Sequence, residues 1–266
     1  MAKERRRPER ERPQPSFVRR SWKWLSGVLL AALAAVIAGY VADANHWFWH
    51  EVGHSSAALS VVVTMKSPSR ECEGQKGWVF AEKPSVLPVP PLGSSSAADE
   101  WASRNGGIPA SGNFVTAVLQ PPSNKTVVVT DIRVEVVGRH RSRAGTHPIL
   151  GGGCGGLEPM HFKANLDRSP VRAVPTAGVS ASGKRIPPVP LPHTLSEQRP
   201  EDWQIAAVTT TCDCDWVAYV DYTADGHPGE SKIDDHGKPF RVAGLQHVVR
   251  VFPDYSQRKW QVLGSG

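Results

Sequence analysis

Residues Trp24 to Ala42 form an unbroken apolar run, WLSGVLLAALAAVIAGYVA, with no charged side chain. As a helix rising 1.5 Å per residue it reaches roughly 28 Å, the depth of a bilayer's hydrocarbon core. The run predicts a transmembrane helix over 24–42. Lys3, Arg5, Arg6, Arg7, Arg10, Arg12, Arg19, Arg20 and Lys23 precede it, and acidic Asp43 follows. By the positive-inside rule this places the amino terminus in the cytoplasm and the carboxyl terminus outside. Trp22, Trp24, Tyr40, Trp47, Phe48 and Trp49 bracket the run, as aromatic residues do at headgroup depth. The expected organisation is a disordered basic tail (1–23), the span (24–42), a juxtamembrane segment (43–58) and an extracytoplasmic domain (59–266). A second reading of the same residues is a signal peptide. Ala42-Asp43-Ala44 has the small-x-small cleavage pattern, and cleavage at Ala44 would release a secreted protein.

The formal charge of +6 belongs to the tail. Beyond residue 23 basic and acidic residues are equal in number. The large domain therefore lacks the basic excess that nucleic-acid binding needs, and no such partner is expected. Export would put Cys72, Cys154, Cys212 and Cys214 where disulfides persist. In a flat strand the Cys212 and Cys214 side chains project from one face about 6–7 Å apart, too far for an unstrained bond. Each is therefore expected to bridge to Cys72 or Cys154, although a local kink would permit a 212–214 bond.

Long helical periodicity is missing beyond the span. Short β-branched runs alternate with turn clusters, the pattern of a mainly β domain of sandwich type. Strands are expected over 59–65, 77–82, 114–119, 126–139, 160–167, 203–223, 230–233, 239–243 and 247–252. Asp99–Arg104 reads as a helical turn. Alternation places Val128, Ile132, Val134 and Val136 on one face of their strand, opposite Asp131, Arg133 and Glu135. The longest run places Ala206, Val208, Thr210, Cys212, Cys214, Trp216, Ala218, Val220 and Tyr222 on one face. At about 20 residues it exceeds an ordinary strand and needs a bend or bulge. Val128, Ile132, Val134, Trp216 and Val220 are the expected core. Asp225-Gly226 and Asp234–Gly237 read as hairpin turns. Pro-rich connections run from Lys83 to Ser96 and from Val174 to Pro200.

His50-Glu51-Val52-Gly53-His54 matches H-E-x-x-H, in which two histidines on one helix face hold zinc and the glutamate acts as base. A turn and a β run follow it where a second helix would be needed. The motif is therefore read as an interfacial continuation of the span, with a zinc hydrolase using His50, Glu51 and His54 as the alternative. Gly151 to Gly156 contains G-x-G-x-x-G without a strand-to-helix context, and Gly178 to Lys184 resembles a P-loop with Arg185 in place of Ser or Thr. Neither is read as a nucleotide site.

The segments CDCDWVAYVDYTADG and GESKIDDHGKPFRV, with CGGLEPMHFKANLD and GWVFAEKPSVLP upstream, resemble a group of uncharacterised actinobacterial membrane-anchored proteins. The likeness covers most of residues 77–243. It implies a basic cytoplasmic lead, one span and a Cys-containing β-rich outer domain, and it supplies no catalytic residue. The chain is thus expected to be a single-pass membrane protein. Its outer domain would bind an extracytoplasmic protein or cell-envelope ligand, without catalytic activity, resident metal or cofactor.

Overall fold

The structure is a computed structural model that describes residues 59–65, 77–93, 95–122, 125–150, 159–179, 184–195 and 200–263. The chain divides into two compact units, Met1–Ser56 and Ala57–Gly266. The expected span from Trp24 to Ala42 lies outside the described residues, as do the His50, Glu51 and His54 motif, Cys72 and Cys154. Among the described residues no helix is long and apolar enough to cross a membrane.

The second unit is mainly β. In chain order its strands are β1 (Ser60–Met65), β2 (Trp78–Val79), β3 (Ile108–Pro109), β4 (Phe114–Gln120), β5 (Val127–Arg141), β6 (Gly145–Pro148), β7 (Met160–Asn165), β8 (Val171–Thr176) and β9 (Gly178–Val179). They continue with β10 (Arg185–Ile186), β11 (His193–Leu195), β12 (Glu201–Val208), β13 (Cys212–Ala224), β14 (His227–Ile233), β15 (Phe240–Ala243), β16 (Val248–Asp254) and β17 (Lys259–Val262). The helix is α1 (Ser95–Arg104).

One sheet dominates, in the order β1-β4-β12-β7-β8-β5-β13-β14, with β11 added to β5 and β15 to β13. Every pairing in it is antiparallel except β12 with β7. Its two edges come together: the Ser231 hydroxyl on β14 donates to the Leu59 carbonyl beside β1 at 3.4 Å. The expected sandwich is therefore a nearly closed barrel. The cause is the distribution of bulk. Leu119, Phe162, Ile205, Trp203, Trp216 and Ile233 all come from this one sheet and are almost fully buried together. Among the described residues no second sheet of comparable size offers them a face, so the sheet curls and packs against itself. Eight strands enclose about the volume that such side chains fill.

Ile132, Val134, Trp216 and Val220 lie in that interior as expected. Val128 does not. It is half-buried, and Val127 and Val129 point inward instead. The pairing with β13 explains this. Asp131 faces Asp221 while Val129 faces Tyr222, so Thr130 is the extra residue of a bulge and the inward parity changes across it. The Thr130 hydroxyl donates to the Asp221 carbonyl at 3.1 Å.

The expected strand 203–223 is two strands in different parts of the barrel. β12 lies between β4 and β7, whereas β13 lies between β5 and β14. β12 buries Trp203, Ile205 and Ala207, so Ala206 and Val208 do not share the inward face of Cys212 and Trp216. Both expected hairpin turns are present. Asp225 and Gly226 have φ of 51° and 79°, and His236 and Gly237 have 52° and 84°. Such left-handed pairs match the twist of the flanking strands.

A smaller cluster forms on α1, where Trp78, Phe80, Leu87 and Trp101 pack together with Trp260 against them. The Trp101 ring lies 4.9 Å from that of Phe80. Gly145 is required there, because a Cβ would run into the Phe80 carbonyl oxygen.

The bulge at Thr130 generates a test of register. Val129→Ala should destabilise by about 2 kcal/mol in chemical denaturation, and Val128→Ala by clearly less. The reverse order would mean that the strand lacks the bulge.

Candidate functional site

β5 and β8 pair over two rungs only, Arg133 with Arg172 and Val134 with Val171. β5 then continues to Arg141 against β13, while the chain on the other side turns away through residues 166–170. The wedge between them is a cleft of about 480 Å³ on the outside of the barrel. It is lined by Arg133, Glu135, Arg139, Arg168, Arg172 and Tyr219, with Ser169, Pro170 and the aliphatic Val134, Val136 and Val171. That volume lies in the range of small-ligand sites.

Its four arginines are held differently. Arg133 donates to Asp221 through Nε at 2.6 Å and Nη2 at 2.8 Å, and also to Glu230. The Asp221 bonds first, then Glu230, raise its pKa further above an already high ordinary value. Arg172 pairs with Asp131. Arg139 has no carboxylate partner among the described residues. Its Nη2 donates to the Leu166 carbonyl at 2.6 Å, and its Nη1 lies 3.7 and 3.8 Å from Cys212 Sγ and Cys214 Sγ. Arg168 is exposed in the turn and likewise has no carboxylate partner there. At the opposite end the Tyr219 hydroxyl donates to Glu135 at 3.3 Å. Burial, then the Glu135 charge, push that phenol's pKa up.

The turn that carries Arg168 is tied down by its neighbour Asp167. One Asp167 carboxylate accepts from the hydroxyls of Thr209, Thr210 and Thr211 at 2.8, 2.7 and 2.7 Å, and from the Thr210 amide at 2.7 Å. Burial would raise its pKa, but the threonine bonds outweigh it and hold the group well below the ordinary carboxylate value. The same bonds fix the break between β12 and β13 and set Thr209 Oγ1 3.2 Å from Cys212 Sγ.

Cys212 and Cys214 are bonded to each other, not to Cys72 or Cys154. The flat-strand spacing fails because β13 is contracted as it leaves the threonine turn. The two Cα atoms are 5.4 Å apart, within disulfide reach. Both sulfurs are buried against the barrel core. The acidic residues around the late hairpins face cations: Asp225 lies 3.6 Å from Lys125, and Asp234 lies 3.0 Å from Lys232.

The sequence reading missed the cleft. Its arginines are scattered over β5, β8 and the 166–170 turn, so only the sheet topology brings them together. Arg133 was read merely as an outward residue. No protein family, curated protein or solved structure matches the chain.

Two tests follow from this geometry. Asp167 is a group with a depressed folded pKa. Its contribution to stability is fully present above the ordinary value of 3.8 and is lost as pH falls from there toward the folded value. Asp167→Asn should lower the Tm at neutral pH, and the deficit should shrink as the pH is taken below 3.8. A deficit independent of pH would remove the carboxylate from the account. For the disulfide, non-reducing peptide mapping should find Cys212 and Cys214 linked within one peptide. A loop this short stabilises by roughly 1.5 kcal/mol in the chain-entropy model, against 4–5 for a long-range bridge, so reducing the bond should lower the Tm only slightly.

Proposed function

We propose that the protein is a single-pass membrane protein whose barrel stands outside the membrane as a non-catalytic binding module. The location rests on the apolar run from Trp24 to Ala42 and the basic residues before it. The resemblance to actinobacterial membrane-anchored proteins belongs to the same reading. The observation that carries the binding role is the cleft between β5 and β8. The barrel interior is packed with Trp203, Trp216, Phe162 and their neighbours. The cleft instead is open, of ligand size, and combines aliphatic walls with fixed polar groups. Its partner is an extracytoplasmic protein or a cell-envelope component.

Protease added to intact, wall-stripped cells should digest the barrel and leave a small membrane-bound remnant. Full protection would defeat the outward orientation, and release into the medium without protease would favour cleavage at Ala44. For the binding role, purified full-length chain should retain cell-envelope material, and Ser169→Trp, which fills the cleft from an exposed position, should abolish that retention. Retention unchanged by Ser169→Trp would move the function elsewhere on the molecule.

A further inference from the structure

The charges in the cleft are unevenly compensated. Arg133 and Arg172 are neutralised by Asp221, Glu230 and Asp131. Together with Glu135 these carboxylates crowd the Tyr219 end. Arg139 and Arg168 stand at the other end, beside the 166–170 turn, with no carboxylate partner among the described residues. Arg139 is held in place rather than waving in solvent. The Leu166 carbonyl and the two sulfurs engage at most three of its five N–H donors. The Arg168 backbone is fixed by the Asp167 bonds to Thr209, Thr210 and Thr211. Ordering a guanidinium before the ligand arrives removes much of the entropy lost on binding. The ordered Arg139 fork and the exposed Arg168 guanidinium that shares the cleft wall can each pair bidentately with a phosphate oxygen pair.

Resting on the binding role above, we infer that the ligand enters by an anionic group of phosphodiester type, seated at the turn end of the cleft between Arg139 and Arg168. The rest of the ligand runs along Val136 and Val171 toward Tyr219. Because Glu135 and Glu230 stand at that far end, the ligand's second end is uncharged or a hydrogen-bond donor, not a second anion.

The test uses the full-length chain in phosphatidylcholine nanodiscs. The probes are soluble glycerol-phosphate oligomers, phosphatidylglycerol vesicles and uncharged dextran oligomers. At least one phosphodiester probe should bind, and raising ionic strength should weaken it. Binding of oligomers identifies a soluble or polymeric phosphodiester as the source, and vesicle binding that Arg168→Gln weakens, without oligomer binding, identifies a lipid headgroup. Arg168→Gln should weaken the interaction about tenfold or more, with Arg168→Lys intermediate. Arg168 is exposed, so both variants should keep the wild-type Tm. Failure of both phosphodiester probes to bind, equal binding of dextran, or indifference to Arg168→Gln would overturn the inference. Dextran binding that Ser169→Trp abolishes would overturn the anionic ligand while preserving the binding role. Loss of all probe binding together with loss of envelope retention would overturn both.

Discussion

The Asp167 carboxylate holds the corner of the barrel where β12 ends and β13 begins. A run of three threonines would otherwise continue β12 straight into β13, since Thr is a favourable strand residue. By accepting from all three hydroxyls, Asp167 makes a break there and holds two turns together. The break sends β12 and β13 to different places in the sheet and sets which of their side chains face the interior. It also contracts the start of β13 enough for Cys212 to reach Cys214. Such a cluster is electrostatically self-sufficient: the carboxylate's preferred charged form is the form the threonines solvate.

Most elements were legible in the sequence because period-2 alternation and turn chemistry are local. The strands at 114–119, 126–139, 160–167 and 247–252 match β4, β5, β7 and β16 within a few residues. Asp225-Gly226 turns as its residue types demand. The failures share one cause. Val128 was assigned inward because alternation was carried unbroken across Thr130, where β13 imposes a bulge from 91 residues away. The 203–223 run was read as one strand because nothing local marks Thr209–Thr211 as a break, since its determinant, Asp167, lies 42 residues earlier. The sandwich became a barrel because closure depends on which edges meet. The cleft was illegible for the same reason, as it exists only where two strands stop pairing.

The division between a filled interior and a polar outer wedge bears on how such a domain diversifies. The barrel's inward residues are constrained by packing on all sides, where a lost methylene is felt. The cleft residues sit on β5, β8, β13 and the 166–170 turn, and its ion pairs lie on the outer face of the sheet. Exposed positions such as Arg168 and Ser169 can be exchanged without disturbing Trp203 or Trp216, so the lining of the wedge and the stability of the fold are nearly independent properties here.

The parallel pairing of β12 with β7, six residue pairs long within the main sheet, has a consequence for assembly. β12 also supplies the only pairing between β4 and the rest of the sheet, so β1 and β4 form a detached hairpin-like pair until it arrives. β5 likewise lacks its main neighbour until β13 exists. On a chain made from its amino end, the first two-thirds of the domain therefore present unsatisfied strand edges, because the strands that pair with them lie beyond residue 200. Topologies dominated by such distant pairings fold slowly and are vulnerable to intermolecular pairing meanwhile. The unpaired edges last until β13 and β14, the strands that cover β5 and meet β1, have been made.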